Sequence, residues 1–159
     1  STLQADLIVS AVGLKPRTSL AAQAGAAAGR GVQVNHLLAT SVPHVHALGD
    51  CAEVDGQWLP YVMPLMQQAR ALAATLAGKP TPVAYPVMPV VVKTPAWPTV
   101  VCPPPADAAG QWEVTSSDDA LEARFVSASS AEQAGALLGF VLQGKAMSQR
   151  QAWVAQVSA

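Results

Sequence analysis

The chain has 159 residues, of which 51% are hydrophobic and 12% charged, and its formal net charge is −1. That composition is too apolar for a disordered polymer, is long enough for one ordinary domain or two small ones, and points globally to neither nucleic acid nor an anionic membrane. No apolar run reaches the roughly 20 residues of a membrane-spanning helix, no secretory signal pattern opens the chain, and Cys51 and Cys102 are too far apart to read as a redox pair. A reducing, cytoplasmic setting is therefore expected.

Residues 5–13, Ala5-Asp6-Leu7-Ile8-Val9-Ser10-Ala11-Val12-Gly13, read as a buried strand with an exit glycine. Such a strand needs flanking neighbours, so further sequence is expected before it. Lys15-Pro16-Arg17 makes an extended turn, and Thr18 or Ser19 can cap an alanine-rich helix running to about Ala28. Val32-Gln33-Val34 alternates as a short strand. After the turn Thr40-Ser41-Val42-Pro43, His44-Val45-His46-Ala47-Leu48 reads as a strand that stops at Gly49-Asp50. Asp55-Gly56 is a hairpin signal between two short polar-apolar runs. A helix is expected over 64–77, with Leu65, Ala69, Leu72, Ala73 and Leu76 on its apolar stripe, Pro64 in its first turn, Gly78 at its C-terminal end and Pro80 beyond.

The composition then changes, nine of the thirteen prolines falling between Pro80 and Pro105. Val90–Lys93 and Thr99–Val101 read as strands near a sheet edge, where proline is tolerated. Trp112–Thr115 and Leu121–Phe125 flank a hairpin turn at 116–119, and Leu138–Leu142 follows as a further strand. Ser148 and Gln151 have the spacing of a capping box for a terminal helix carrying Trp153, Val154 and Val157. Ser127–Gly135 fits either a hairpin tip or a helical turn.

The stretch most suggestive of chemistry is Thr40–Asp50, a turn, an apolar strand, then glycine and a carboxylate. In α/β sheets ligands bind beyond the carboxyl ends of strands, glycine lets a ligand approach the backbone, and an aspartate there can accept hydrogen bonds from sugar-like hydroxyls. The segment resembles the second FAD-binding motif of the pyridine nucleotide-disulfide oxidoreductases, and Thr40 and Gly49 match its threonine and glycine. The resemblance implies that Asp50 binds the ribityl chain of FAD. Three further segments are similar to the same family in order and spacing. Ser10–Arg17 resembles the crossing from the NAD to the FAD domain, and Gly31–Asn35 the strand before the motif, with Asn35 where an aspartate is common. Tyr61–Met66 with Ala69-Arg70-Ala71 resembles the helix whose positive N-terminal end faces the flavin, which implies cofactor contacts for Val62 and Met63.

Met88–Pro95 is similar to the start of the C-terminal domain of bacterial rubredoxin reductases, which implies a place for Lys93 near the flavin. A lysine there would stabilise negative charge or attract an acidic partner. Read alone, Lys93 is more often a solvated edge-strand lysine that discourages aggregation. No Gly-x-Gly-x-x-Gly occurs, so neither dinucleotide has its phosphate loop here, and this stretch by itself is expected to bind no cofactor tightly and to be inactive.

The expected fold is therefore an α/β remnant of the FAD/NAD(P)-binding domains over 1–79, followed at 84–159 by a small α+β C-terminal domain of antiparallel sheet plus terminal helix. The resemblance implies part of an oxidoreductase using FAD and NAD(P)H and passing electrons to rubredoxin or another small redox protein. The alternative is a non-catalytic docking or dimerisation module that self-associates through exposed strand edges. His44 and His46 have metal-ligand spacing but no third ligand, Cys51 reads as a small packed residue, and Met63 and Met66 otherwise read as core. No catalytic acid, base or nucleophile is expected.

Overall fold

The computed structural model describes residues 2–128 and 135–157 and divides the chain into two units, Ser1–Tyr85 and Pro86–Ala159. In the first, the alternation of Val32–Val34 (β1) and Ala52–Val54 (β2) buries the valines and Ala52 while the strands pair in parallel, Val32 opposite Ala52 and Val34 opposite Val54. Helix α1 is shorter than expected, Ser19–Gln23, with no side-chain cap at Thr18. Gly25 and Ala26 end it by donating N–H bonds back to Ala22 and Ala21 carbonyls.

Helix α2 spans Val62–Leu76 and buries Pro64, Gln68, Ala71 and Leu72, spaced i, i+4, i+7 and i+8. This face is rotated from the expected stripe: Ala73 and Leu76 are exposed, as are Met63 and Met66, which are therefore not core. Ala71 and Leu72 pack with Val34, Leu38, Ala52, Val54 and Val83. The helix closes where Gly78 and Lys79 N–H reach the Thr75 and Ala74 carbonyls, both at 3.0 Å. After β2, Asp55 and Gly56 take φ of 44° and 80°, the two left-handed positions of a tight turn, and Val54 and Gln57 exchange N–H···O bonds at 2.9 Å.

Two expected strands do not form. Residues 5–13 carry no sheet pairing among the described residues, and Leu7, Ile8, Val9 and Val12 are exposed. Backbone N–H and C=O groups make a strand only against a partner, and none lies beside this segment among the described residues. Between His44 and Leu48 there is only an isolated bridge from Ala39 to His46. The Thr40 hydroxyl accepts Val42 N–H at 3.1 Å and donates to Val45 O at 3.0 Å, and His44 sits at φ 63°, so a tight turn consumes the strand's first half. Gly49 and Asp50 consequently lie in a 3-10 turn, Gly49–Cys51, that leads into β2 rather than ending a strand.

The second unit is one antiparallel sheet of Val90–Val92 (β3), Thr99–Cys102 (β4), Gly110–Ser116 (β5), Ala120–Ser127 (β6) and Leu137–Gly144 (β7), in the order β3-β4-β7-β6-β5. Where β6 meets β7 the register shifts between Phe125 and Val126, which face Gly139 and Leu137. Val100 and Cys102 lie opposite Leu142 and Phe140, and these four with Ala146 form a core. Burial raises the Cys102 thiol above its usual pKa. Met147, Trp153, Val154 and Val157 pack on that core, Trp153 meeting Phe140 edge to face at 5.6 Å.

The expected capping box does not form. The Ser148 hydroxyl instead donates to Lys145 O at 3.0 Å within a 3-10 segment, Lys145–Gln149, and α3 (Arg150–Val154) follows without a side-chain cap. The question left open for Ser127–Gly135 falls mostly on 129–134, outside the described residues.

Phe140 is 0% exposed, so Phe140→Ala is expected to cost about 3–5 kcal/mol of stability, read as a lower urea midpoint by circular dichroism. An unchanged midpoint would show that this cluster does not hold the sheet.

Candidate functional site

The site is built around the 3-10 turn. Gly49 is buried and left-handed at φ +82°, and a Cβ placed on it would stand 2.9 Å from Leu65 Cδ1. The positive φ therefore favours glycine here, while the contact with the tip of the Leu65 side chain could be relieved by a small movement of that side chain. The Gly49 N–H points inward and donates to Gln68 Oε1 at 2.6 Å. Gln68, only 2% exposed, donates from Nε2 to the Tyr85 hydroxyl at 2.8 Å. Burial pushes the Tyr85 hydroxyl above its ordinary pKa, with the Gln68 hydrogen bond opposing, so the phenol stays neutral at physiological pH.

Asp50 is exposed, and its carboxylate makes no hydrogen bond or ion pair among the described residues. Its main-chain oxygen is held, accepting the Trp58 Nε1–H at 2.8 Å. The Trp58 ring is in turn covered by the Arg30 guanidinium, 4.2 Å from its centroid, a cation–π contact. A cleft of about 260 Å³ opens here, with Leu14–Arg17 on one side and Asp50, Cys51 and Trp58 on the other. A free carboxylate on a clamped backbone at a cleft mouth is suited to accepting hydrogen bonds from a hydroxylated ligand.

Thr40 and Asn35 serve the scaffold around this turn. Thr40 closes the 40–45 loop, and Asn35 Oδ1 accepts N–H bonds from Leu37 at 2.9 Å and Ala39 at 3.1 Å, a task an aspartate oxygen performs equally. Val62 and Met63 are exposed at the first turn of α2, whose N-cap lacks a side-chain hydrogen bond. Gly49, Asp50, Val62 and Met63 thus belong to one unit and to two elements in contact. Lys93 is exposed, just past β3, in the other unit.

The Cys51 thiol donates to Leu48 O at 3.4 Å, half-buried as a packed residue is. Among the described residues no three His, Cys, Asp or Glu side chains cluster to hold a metal, and His44 and His46 gain no third partner. No described helix is long and apolar enough to cross a membrane. Sequence reasoning passed over Gln68, Tyr85 and Trp58. The available signal was Gln68 itself, a polar residue four positions from both Pro64 and Leu72 on the buried face.

Residues 1–74 match the model of the pyridine nucleotide-disulphide oxidoreductase family, and residues 82–157 match that of the rubredoxin binding C-terminal domain. A rubredoxin-NAD(+) reductase of Alcanivorax borkumensis is 50% identical over 150 residues, covering 94% of this chain and 38% of the relative. One of Acinetobacter baylyi is 50% identical over 143 residues, covering 90% of this chain and 35% of the relative. The chain therefore spans little more than a third of the length of these curated relatives. Among solved structures, a ferredoxin reductase of Rhodopseudomonas palustris superposes with a TM-score of 0.79 at 26% identity, over 100% of this chain and 40% of that one. By both matched regions and by these relatives, the chain belongs to the pyridine nucleotide-disulphide oxidoreductases that carry a rubredoxin binding C-terminal domain.

Proposed function

We propose that the full-length protein transfers reducing equivalents from NAD(P)H through FAD to rubredoxin or a similar small redox protein, and that this chain supplies one cofactor anchor and the docking domain. The observation that carries the reading is the Asp50 carboxylate, exposed and unpartnered among the described residues while its backbone is clamped on either side. A carboxylate left free on a rigid turn accepts hydrogen bonds from a polyol such as the ribityl chain, each worth about 1.5–3 kcal/mol for a charged acceptor. When bound, FAD supplies a ring that accepts hydride and gives up electrons singly. The residues here position and tune. Gly49 allows close approach, Val62 and Met63 offer exposed contacts, and the aligned peptides of α2 place about half a positive charge at that same end.

Residues 84–159 take the docking role, supported by the match of 82–157 to a rubredoxin binding domain. Lys93, exposed beside the edge strand, adds positive charge that steers an acidic partner and stabilises negative charge on a bound flavin.

A second reading, self-association without catalysis, has one observation in its favour. The edge strand β5 is exposed throughout, with Trp112 at 44% and Val114 at 60%, and such an edge can pair with another chain. A colourless protein that sediments as a dimer would favour that reading, whereas a yellow protein with NADH-dependent diaphorase activity favours the first.

In the full-length protein, Asp50→Ala is expected to lower FAD retained through gel filtration by about tenfold, following the loss of a charged hydrogen-bond acceptor. Unchanged flavin content would remove Asp50 from the site. Lys93→Glu is expected to slow rubredoxin reduction several-fold at low salt, with the difference shrinking as ionic strength rises. An identical rate at low salt would refute the steering role.

A further inference from the structure

We infer that Gln68 is a positioning residue for the cofactor site: its buried amide holds the Gly49 N–H and so sets the direction in which Asp50 presents its carboxylate. The inference rests on the reading of Asp50 as a cofactor anchor.

The geometry is specific about how this works. A left-handed residue reverses the direction of its peptide groups relative to its neighbours, so Gly49 at φ +82° sends its N–H into the protein while Asp50 stays exposed. An N–H buried without an acceptor is costly, and the turn would relax away from this geometry unless one were supplied. Gln68 Oε1 supplies it at 2.6 Å from α2, nineteen residues on. A glutamine amide has two ends and must be told which to present. Here the Gly49 N–H can only donate, so it fixes Oε1 toward the turn, and Nε2 then donates to the Tyr85 hydroxyl at 2.8 Å, which accepts it. Leu65 of α2 fills the place a Cβ would take on Gly49, so the helix and the turn are locked both by packing and by this bond.

On the far side of Asp50, its carbonyl is held by Trp58 Nε1–H at 2.8 Å. The aspartate therefore sits between two backbone clamps, one from α2 and one from the residues after β2. Gln68 also links the anchor to the helix whose first turn carries Val62 and Met63, so the carboxylate and the positive helix end keep a constant separation. An apolar residue at 68 would fill the space and leave both Gly49 N–H and Asp50 free to turn.

The test is a double-mutant cycle on FAD affinity in the full-length protein, with Asp50→Ala, Gln68→Leu and the pair, and FAD dissociation constants measured by flavin fluorescence. Gln68→Leu alone is expected to weaken binding about tenfold, the size of a lost buried hydrogen bond. If Gln68 acts through Asp50, the pair binds no more than about twofold weaker than Asp50→Ala alone. Losses that simply multiply would assign Gln68 a general structural role and overturn the proposal while leaving Asp50 as an anchor. An Asp50→Ala variant with undiminished affinity would sink the anchoring reading itself, and this proposal with it.

Gln68→Glu keeps an oxygen for Gly49 and serves as the conservative variant if Gln68→Leu does not fold. Affinity within about twofold of the parent supports the proposal. Affinity as low as that of Asp50→Ala, in a protein with unchanged circular dichroism, contradicts it.

Discussion

A single buried hydrogen bond, from the Gly49 N–H to Gln68 Oε1, decides how the rest of the site can be arranged. It exists because α2 packs against the 49–51 turn and because the turn is left-handed at Gly49, a conformation that favours glycine. The next residue is thereby turned to the surface with its carboxylate unspent. β1 and β2 give α2 an apolar floor of Val34, Ala52 and Val54, and Ala71 and Leu72 seat the helix on it. Thr40 and Asn35 close the loops that bring the chain into the turn.

The two units do different physical work. The first concentrates buried polar contacts, Gln68 with Gly49 and Tyr85, at one point in an otherwise apolar cluster. Such networks are worth their cost only when every member is satisfied, as this one is. The second relies on apolar packing of one sheet face under the terminal residues, with Phe140, Leu142 and Val100 fully buried.

Much of the second unit was legible because strand alternation and turn chemistry act over a few residues. The β5–β6 hairpin, β7 and β4 lie where period-two patterns and polar turns placed them, and in the first unit Asp55-Gly56 makes a tight turn, with one bridge from Val54 to Gln57 in place of a longer hairpin. The failures come from partners and local side-chain bonds that composition does not display. Residues 5–13 have the composition of a strand and no partner among the described residues, so composition alone misleads. His44–Leu48 loses its strand to the Thr40 hydroxyl, a bond across five residues that no propensity encodes. The stripe on α2 rotates because Pro64 and Gln68, not Leu65 and Leu76, face the core. The motif Gly49-Asp50 was readable, whereas the residue that orients it lies nineteen positions away and becomes meaningful only once the helix has packed.

The most direct check of the central claim is a crystal structure of the full-length protein with FAD bound. The account predicts an Asp50 carboxylate oxygen within about 2.5–3.0 Å of a ribityl hydroxyl, with Gln68 still accepting the Gly49 N–H. An Asp50 side chain directed to bulk solvent, with the ribityl chain held by other residues, would contradict it.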